Sequence, residues 1–208
     1  MSTKGKGHPT ASRDPEQAAP GTVPAQSPAK VRILRTASDL FISTGIRTVG
    51  VDRLIAESGV ARATFFRHFP TKDDLVVAFL DAQAAAARDD LTRVRLQPDG
   101  ARAVLAAIAA GGKVGLQCDR FRGCEFINTA AEYCDPDHPV RVVVDAHRTW
   151  VRDIMADALT ELGHPHPFAT AQLLFTMRTG IVVASSLEGY ADIDGVFDRA
   201  WWALVDQR

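Results

Sequence analysis

From residue 27 to the end of this 208-residue chain, large apolar side chains recur every three or four positions, and nowhere do they alternate in twos between turn signals. That spacing admits helices and excludes a sheet. Ile33, Leu34, Ala37, Leu40 and Phe41 make the first stripe, opened by Ser27-Pro28 as N-cap and first-turn proline and stopped by Gly45. A short second helix is expected over Val51–Ser58, ended by Gly59, and a third from about Ala61 to Phe69-Pro70. Thr71-Lys72-Asp73-Asp74 reads as a capping box with Asp in place of Glu, opening a fourth helix that runs to about Arg95. After the Gln97-Pro98-Asp99-Gly100 turn, helices are expected over 101–111, 124–133, 139–162, 168–188 and 195–206. Val140 to Val144 is the one β-like run, and it continues into a helical stripe. The expected fold is all-α, about nine helices with no internal repeat.

Residues 1–27 differ from the rest. Pro9, Pro15, Pro20 and Pro24 stand among Gly, Ser, Thr and Gln, with almost no large apolar residue to offset the entropy of ordering. A disordered, inert tail is expected there, whose Lys4, Lys6 and Arg13 could at most brush phosphates. The N-terminus lacks an apolar leader, and no apolar run approaches the roughly 20 residues of a membrane span. A cytoplasmic protein without a membrane partner is the expectation. Three cysteines, Cys118, Cys124 and Cys134, cannot all pair within one chain, so reduced, buried thiols are expected rather than a disulfide framework. Together with His138 they have zinc chemistry but not the spacing of a compact zinc finger, and no metal or cofactor is expected.

Charge is unevenly spread. The first 80 residues hold eleven Lys and Arg against seven Asp and Glu, while the remainder is acidic and the whole chain carries −1. Such polarity acquires meaning beside a nucleic-acid motif. Val51 to Phe69 supplies one. Leu54 and Ile55 bury the first short helix, Gly59 turns the corner with positive φ, Val60 plugs the angle, and Phe65 and Phe69 anchor the second helix. The other face of that helix offers Arg62, Ala63, Thr64, Phe66, Arg67 and His68, a composition suited to a major groove. Glycine and spacing alone leave an ordinary αα corner equally open.

A resemblance decides between them. Leu40-Phe41…Gly45, then Leu54…Ser58-Gly59-Val60, then Ala63-Thr64-Phe65-Phe66-Arg67-His68-Phe69-Pro70-Thr71-Lys72-Asp73-Asp74-Leu75, is similar to the DNA-binding domain of TetR/AcrR regulators. The resemblance implies a helix-turn-helix domain over 28–80 and an effector-binding and dimerisation domain over 81–208. It implies a homodimeric, non-enzymatic regulator, a repressor by expectation, released from a near-palindromic double-stranded operator by a small-molecule effector. Arg62, Ala63 and Thr64 would approach bases or nearby phosphates, and Phe66, Arg67 and His68 the sugar–phosphate backbone. Lys72 would hold a phosphate at a helix N-terminus, and Gly50 would offer a backbone N–H. The family usually has Tyr at position 66, Thr at 49 and Ser or Thr at 61; Phe66, Val49 and Ala61 remove a hydroxyl and two expected caps.

Arg122 to Tyr133, followed by Asp135-Pro136-Asp137-His138-Pro139, resembles one branch of these regulators. Candidate effector-pocket residues are Phe121, Cys124, Phe126, Asn128, His147, Trp150, Met155, Phe175 and Arg178. His147 beside Asp145 reads as a surface pair. The helix carrying Leu173, Leu174, Met177, Ile181, Val182, Val183 and Ala184 is apolar on more than one face, which implies burial against both the body and a partner. Ile181, Ala184, Trp201 and Trp202 are the expected interface residues.

Overall fold

The computed structural model describes Met1 and residues 27–114, 122–187 and 193–207. The expected tail, apart from Met1 and Ser27, lies outside the described residues, as do Cys118 and Phe121. Among the described residues all regular structure is helical: α1 Pro28–Thr44, α2 Val51–Ser58, α3 Arg62–His68, α4 Lys72–Arg95, α5 Gly100–Gly112, α6 Glu125–Glu132, α7 Pro139–Glu161, α8 Pro167–Leu187 and α9 Ile193–Val205.

The local signals act much as their chemistry dictates. Gly59 ends α2 at φ 61° and ψ 32°, left-handed geometry that a Cβ would strain. Thr71 and Asp74 form a reciprocal cap, Thr71 Oγ1 accepting from the Asp74 N–H and the Asp74 carboxylate accepting from the Thr71 N–H. Ser27 departs from expectation. It precedes Pro28, but its hydroxyl caps nothing and lies 3.3 Å from His68 Nε2.

α2 and α3 both start without a side-chain cap, at Gly50 and Ala61. Position 49 is not a cap at all: Val49 is fully buried core. Ala61 is exposed and extended at φ −64°, ψ 143°, the geometry a capping hydroxyl needs. Ala61→Ser is therefore expected to stabilise the protein by about 1 kcal/mol, read as a higher urea midpoint at unchanged m-value; no gain would mean that the α3 N–H groups are already satisfied.

Two apolar clusters hold the molecule together. The first joins α1–α4 around Ile33, Leu54, Phe65, Leu75 and Phe79, and reaches Phe126 of α6 and Val140 and Val144 of α7. The second gathers Leu105, Met155, Leu159, Leu174 and Trp201 from α5, α7, α8 and α9. α4, about 36 Å long at 1.5 Å per residue, belongs to both. Its Phe79 and Leu80 sit in the first cluster, and Leu91 and Val94 pack on the second. The N-terminal helices and the body thus share a core across residue 80.

α8 corrects one expectation. At 21 residues it is long and apolar enough, by length and composition, to cross a membrane. A packing role explains its composition: Ala171, Leu174, Phe175, Ile181 and Val182 face the body, while Phe168, Leu173, Val183 and Leu187 stay exposed.

Candidate functional site

α3 is bound to the molecule by one side. Phe65 is fully buried and Phe69 nearly so, and the Phe65 ring packs against both Phe69 and Phe66. Seven residues of helix anchored this way must turn Arg62, Ala63 and Arg67 outward, and all three are exposed. Thr64, Phe66 and His68 are half-buried. The Arg62 guanidinium lies 5.3 Å from the Phe66 ring centroid and donates to Asp52 Oδ1 at 2.6 Å. Asp52 is a neighbour of Arg62 that helical spacing could not reveal, since it lies ten residues away across the α2–α3 turn.

Gly50 is exposed at the head of α2. Lys72 is less free than its sequence position implies. Its ammonium donates to the Ile46 carbonyl at 2.6 Å, and burial lowers its pKa against the opposing pull of Glu132 and Asp73. His68 also has a ring nitrogen engaged, with Ser27.

The body grips these helices at the start of α4 and at the end of α1. Tyr133 OH donates to Asp73 Oδ1 at 2.7 Å, His138 Nε2 lies 3.4 Å from Asp73 Oδ2, and Arg122 donates to the Ser43 carbonyl.

The expected pocket residues do not converge on one cavity. Trp150, His147 and Arg178 line a chamber of about 320 Å³ between α4, α5, α7 and α8, with Leu91, Val94 and Ile108. Asn128 is exposed and lines a separate cleft of about 650 Å³ between α1, α4 and α6. Phe175 lies beneath Arg148 and Arg152 at a third groove, between α7 and α8. Met155 is fully buried core and Phe126 stacks on His147 at 3.8 Å, so packing rather than a cavity occupies both. Cys124 is half-buried, and burial pushes its thiol pKa up, away from the reactive thiolate. The expected surface pair of His147 and Asp145 is corrected. His147 is buried, and Asp145 accepts from Arg141 instead.

With this geometry in view, likeness to solved structures is informative. A TetR-family transcriptional regulator from Streptomyces coelicolor is 38% identical, superposes with a TM-score of 0.75, and is matched over 85% of this chain and 94% of its own. The chain belongs to the TetR family of transcriptional regulators. The family model for bacterial regulatory proteins, tetR family, matches residues 33–79, which hold α2, α3 and most of α1. The HTH-type transcriptional repressor NemR of Escherichia coli K12 is 24% identical over 157 residues, 71% of this chain and 79% of NemR. The crystal structure of E. coli NemR in its reduced form shares the fold at a TM-score of 0.66 and 22% identity, covering 85% of this chain and 95% of NemR. As a TetR-family member the protein is a DNA-binding transcriptional regulator.

Two expected interface residues of this TetR-family chain are corrected. Ile181 and Trp201 are core residues facing their own body, and Trp202 packs under Arg102 at 4.3 Å. Ala184 is half-buried. On α8 and α9 the exposed large apolar residues are Phe168, Leu173, Val183, Leu187 and Val196, and Gly180, Ala200 and Ala203 are exposed as well.

The buried histidine of this regulator should mark its acid stability. Burial, reinforced by Arg178, Arg88 and Arg148, lowers the His147 pKa from 6.5 to about 4. Between those values the unfolded chain binds a proton that the folded chain refuses, so this contribution is intact above about pH 6.5 and lost as the pH falls toward 4. The loss is on the order of 3 kcal/mol. Urea unfolding at pH 7 and pH 4.5 should show a smaller acid penalty in His147→Gln than in the wild type; equal penalties would contradict it.

Proposed function

We propose that the protein is a homodimeric repressor whose two α3 helices read a near-palindromic operator and which leaves that operator when a small molecule occupies its body. The observation that carries this reading is the outward row Arg62, Ala63 and Arg67 on a helix fixed from behind by Phe65 and Phe69. Ala63 permits close approach to base edges, Arg62 and Thr64 reach bases or adjacent phosphates, and Arg67, with Phe66 and His68, tracks the backbone. Gly50 offers a backbone N–H at the start of α2, and Lys72 reinforces the α4 N-terminus with the donors that Ile46 leaves free. Residues 28–80 act as the reading head and 81–208 as sensor and dimer platform, within the cytoplasm where the operator lies.

One head contacts only a few base pairs, so two must act together. The exposed stripe on α8 and α9 supports a two-fold bundle, with Gly180, Ala200 and Ala203 allowing close helix approach. The repressor role of NemR, named as a transcriptional repressor, favours repression over activation. The test is selection from random duplexes followed by gel shift. Enrichment of a two-fold symmetric sequence bound by a dimer is expected, and absence of any enriched sequence from a folded dimer would overturn the proposal.

Asp52 sharpens that test. Its carboxylate holds Arg62 in the free protein and adds negative charge to the DNA-facing side. Asp52→Asn should tighten operator binding by roughly three- to tenfold at low salt, because the exposed pair is weak and its loss frees a cation. Weaker binding would show instead that Asp52 positions Arg62.

A further inference from the structure

The chamber between α4, α5, α7 and α8 has a chemistry that narrows the choice of ligand, and this inference rests on the effector reading above. Its lining is mainly apolar, Leu91, Val94, Ile108, Val151 and Trp150, with Asp90, His147 and Arg178 as the charged or polar members. Two nitrogens of its lining residues, Arg178 Nε and His147 Nδ1, are sealed from solvent without a hydrogen-bond partner among the described residues. His147 is 9% exposed. Buried polar groups in native proteins are nearly always satisfied; Arg95 Nη1, Thr129 Oγ1 and Trp201 Nε1 are unpartnered as well, and Arg178 and His147 are the pair whose residues line one cavity.

The charges acting on His147 are all positive. Arg88 lies over the Trp150 ring at 5.3 Å, and Arg148 and Arg178 both act on His147. The nearby carboxylates are committed elsewhere: Asp90, which also lines the chamber, bonds to Arg93, and Asp145 bonds to Arg141. Among the described residues no carboxylate pairs with Arg178. The backbone makes room for this arginine. A Cβ at Gly112 would stand 3.0 Å from Arg178 Cγ and 3.3 Å from Ile181 Cγ2, so a side chain at 112 would press on both and require them to shift by a few tenths of an ångström.

We propose that the chamber takes a compact organic monocarboxylate, its carboxylate accepting from Arg178 and its apolar, ring-sized body lying against Trp150, Leu91 and Ile108. A volume of about 320 Å³ lies at the small end of ligand sites and suits a single-ring acid rather than a long acyl chain or a multi-ring compound. A neutral imidazole at His147 adds a hydrogen bond without a second charge. The same imidazole stacks on Phe126 at 3.8 Å, and Phe126 belongs to the core that holds α1–α4, so occupancy is felt where the reading head is anchored.

The test uses the full-length protein, with benzoate and trans-cinnamate as probes and benzamide as the uncharged isostere of benzoate. Titration calorimetry should show benzoate or cinnamate binding at least tenfold tighter than benzamide. Arg178→Met should abolish acid binding while keeping the helical circular dichroism and affinity for the selected operator, and Arg178→Lys should restore part of it. If Arg178→Met does not fold, the comparison of benzoate with benzamide on the wild type still decides. Equal binding of benzamide, unchanged benzoate binding by Arg178→Met, or no acid bound at millimolar concentration would overturn the proposal. Acid binding that leaves operator affinity unchanged supports the site and refutes the effector reading. Operator release by uncharged compounds alone refutes the carboxylate and keeps the effector reading.

Discussion

Arg67→Ala is expected to weaken binding to every duplex, selected or random, by roughly ten- to a hundredfold at physiological salt, because a phosphate contact carries no sequence information. Arg67 is exposed at the end of α3, and no hydrogen bond or ion pair holds its side chain within the described protein. A dimer loses two such contacts, so the slope of log affinity against log salt should flatten by about 1.8. The fold should be indifferent, with stability within about 0.5 kcal/mol of wild type. A variant that loses affinity only for the selected operator would move Arg67 from the backbone to a base edge. Unchanged binding and slope would remove α3 from the interface.

Phe65→Ala should be the most destabilising change in the reading head. Phe65 is fully buried, with ring neighbours Phe66 at 5.5 Å and Phe69 at 6.4 Å. Truncating a buried phenylalanine costs about 3–5 kcal/mol, through lost transfer energy and the cavity left behind. All three tryptophans, Trp150, Trp201 and Trp202, lie beyond residue 80, so their fluorescence reports the body while far-ultraviolet circular dichroism reports every helix. In Phe65→Ala the dichroism transition in urea should begin at lower concentration than the fluorescence transition, as the head unfolds from a body held by the cluster around Trp201. Coincident transitions, both shifted, would mean that the core shared through Phe126, Val140 and Val144 makes head and body one cooperative unit.

What the sequence made legible was local. Gly59, the Thr71–Asp74 cap and the Phe65/Phe69 anchors are set by residues within a few positions of one another, and helix limits and the outward face of α3 follow from them. Contacts between distant elements were not legible. Nothing near Lys72 announces that its ammonium reaches the Ile46 carbonyl, 26 residues earlier, or that Ser27 meets His68. Ile181 and Trp201 failed as interface residues for a related reason. A helix apolar on several faces shows that two sides are covered without saying which meets its own body. His147 looked like a surface partner of Asp145 because spacing along one helix cannot register Phe126 stacking from another. Tyr133 stood inside the recognised 122–133 string, yet its bond to Asp73 required the fold to bring α6 onto the head of α4.

Whether two copies of α3 lie in the major groove of one duplex can be read from methylation interference on the selected operator. Guanine N7 faces the major groove and adenine N3 the minor groove. Interference is expected from N7 methylation in two symmetric half-sites, centred about one helical turn (34–36 Å) or a multiple of it apart, and is expected to be lost at the α3 positions when Arg62 is replaced by alanine. Interference confined to adenine N3, or to a single half-site, would contradict that placement of α3.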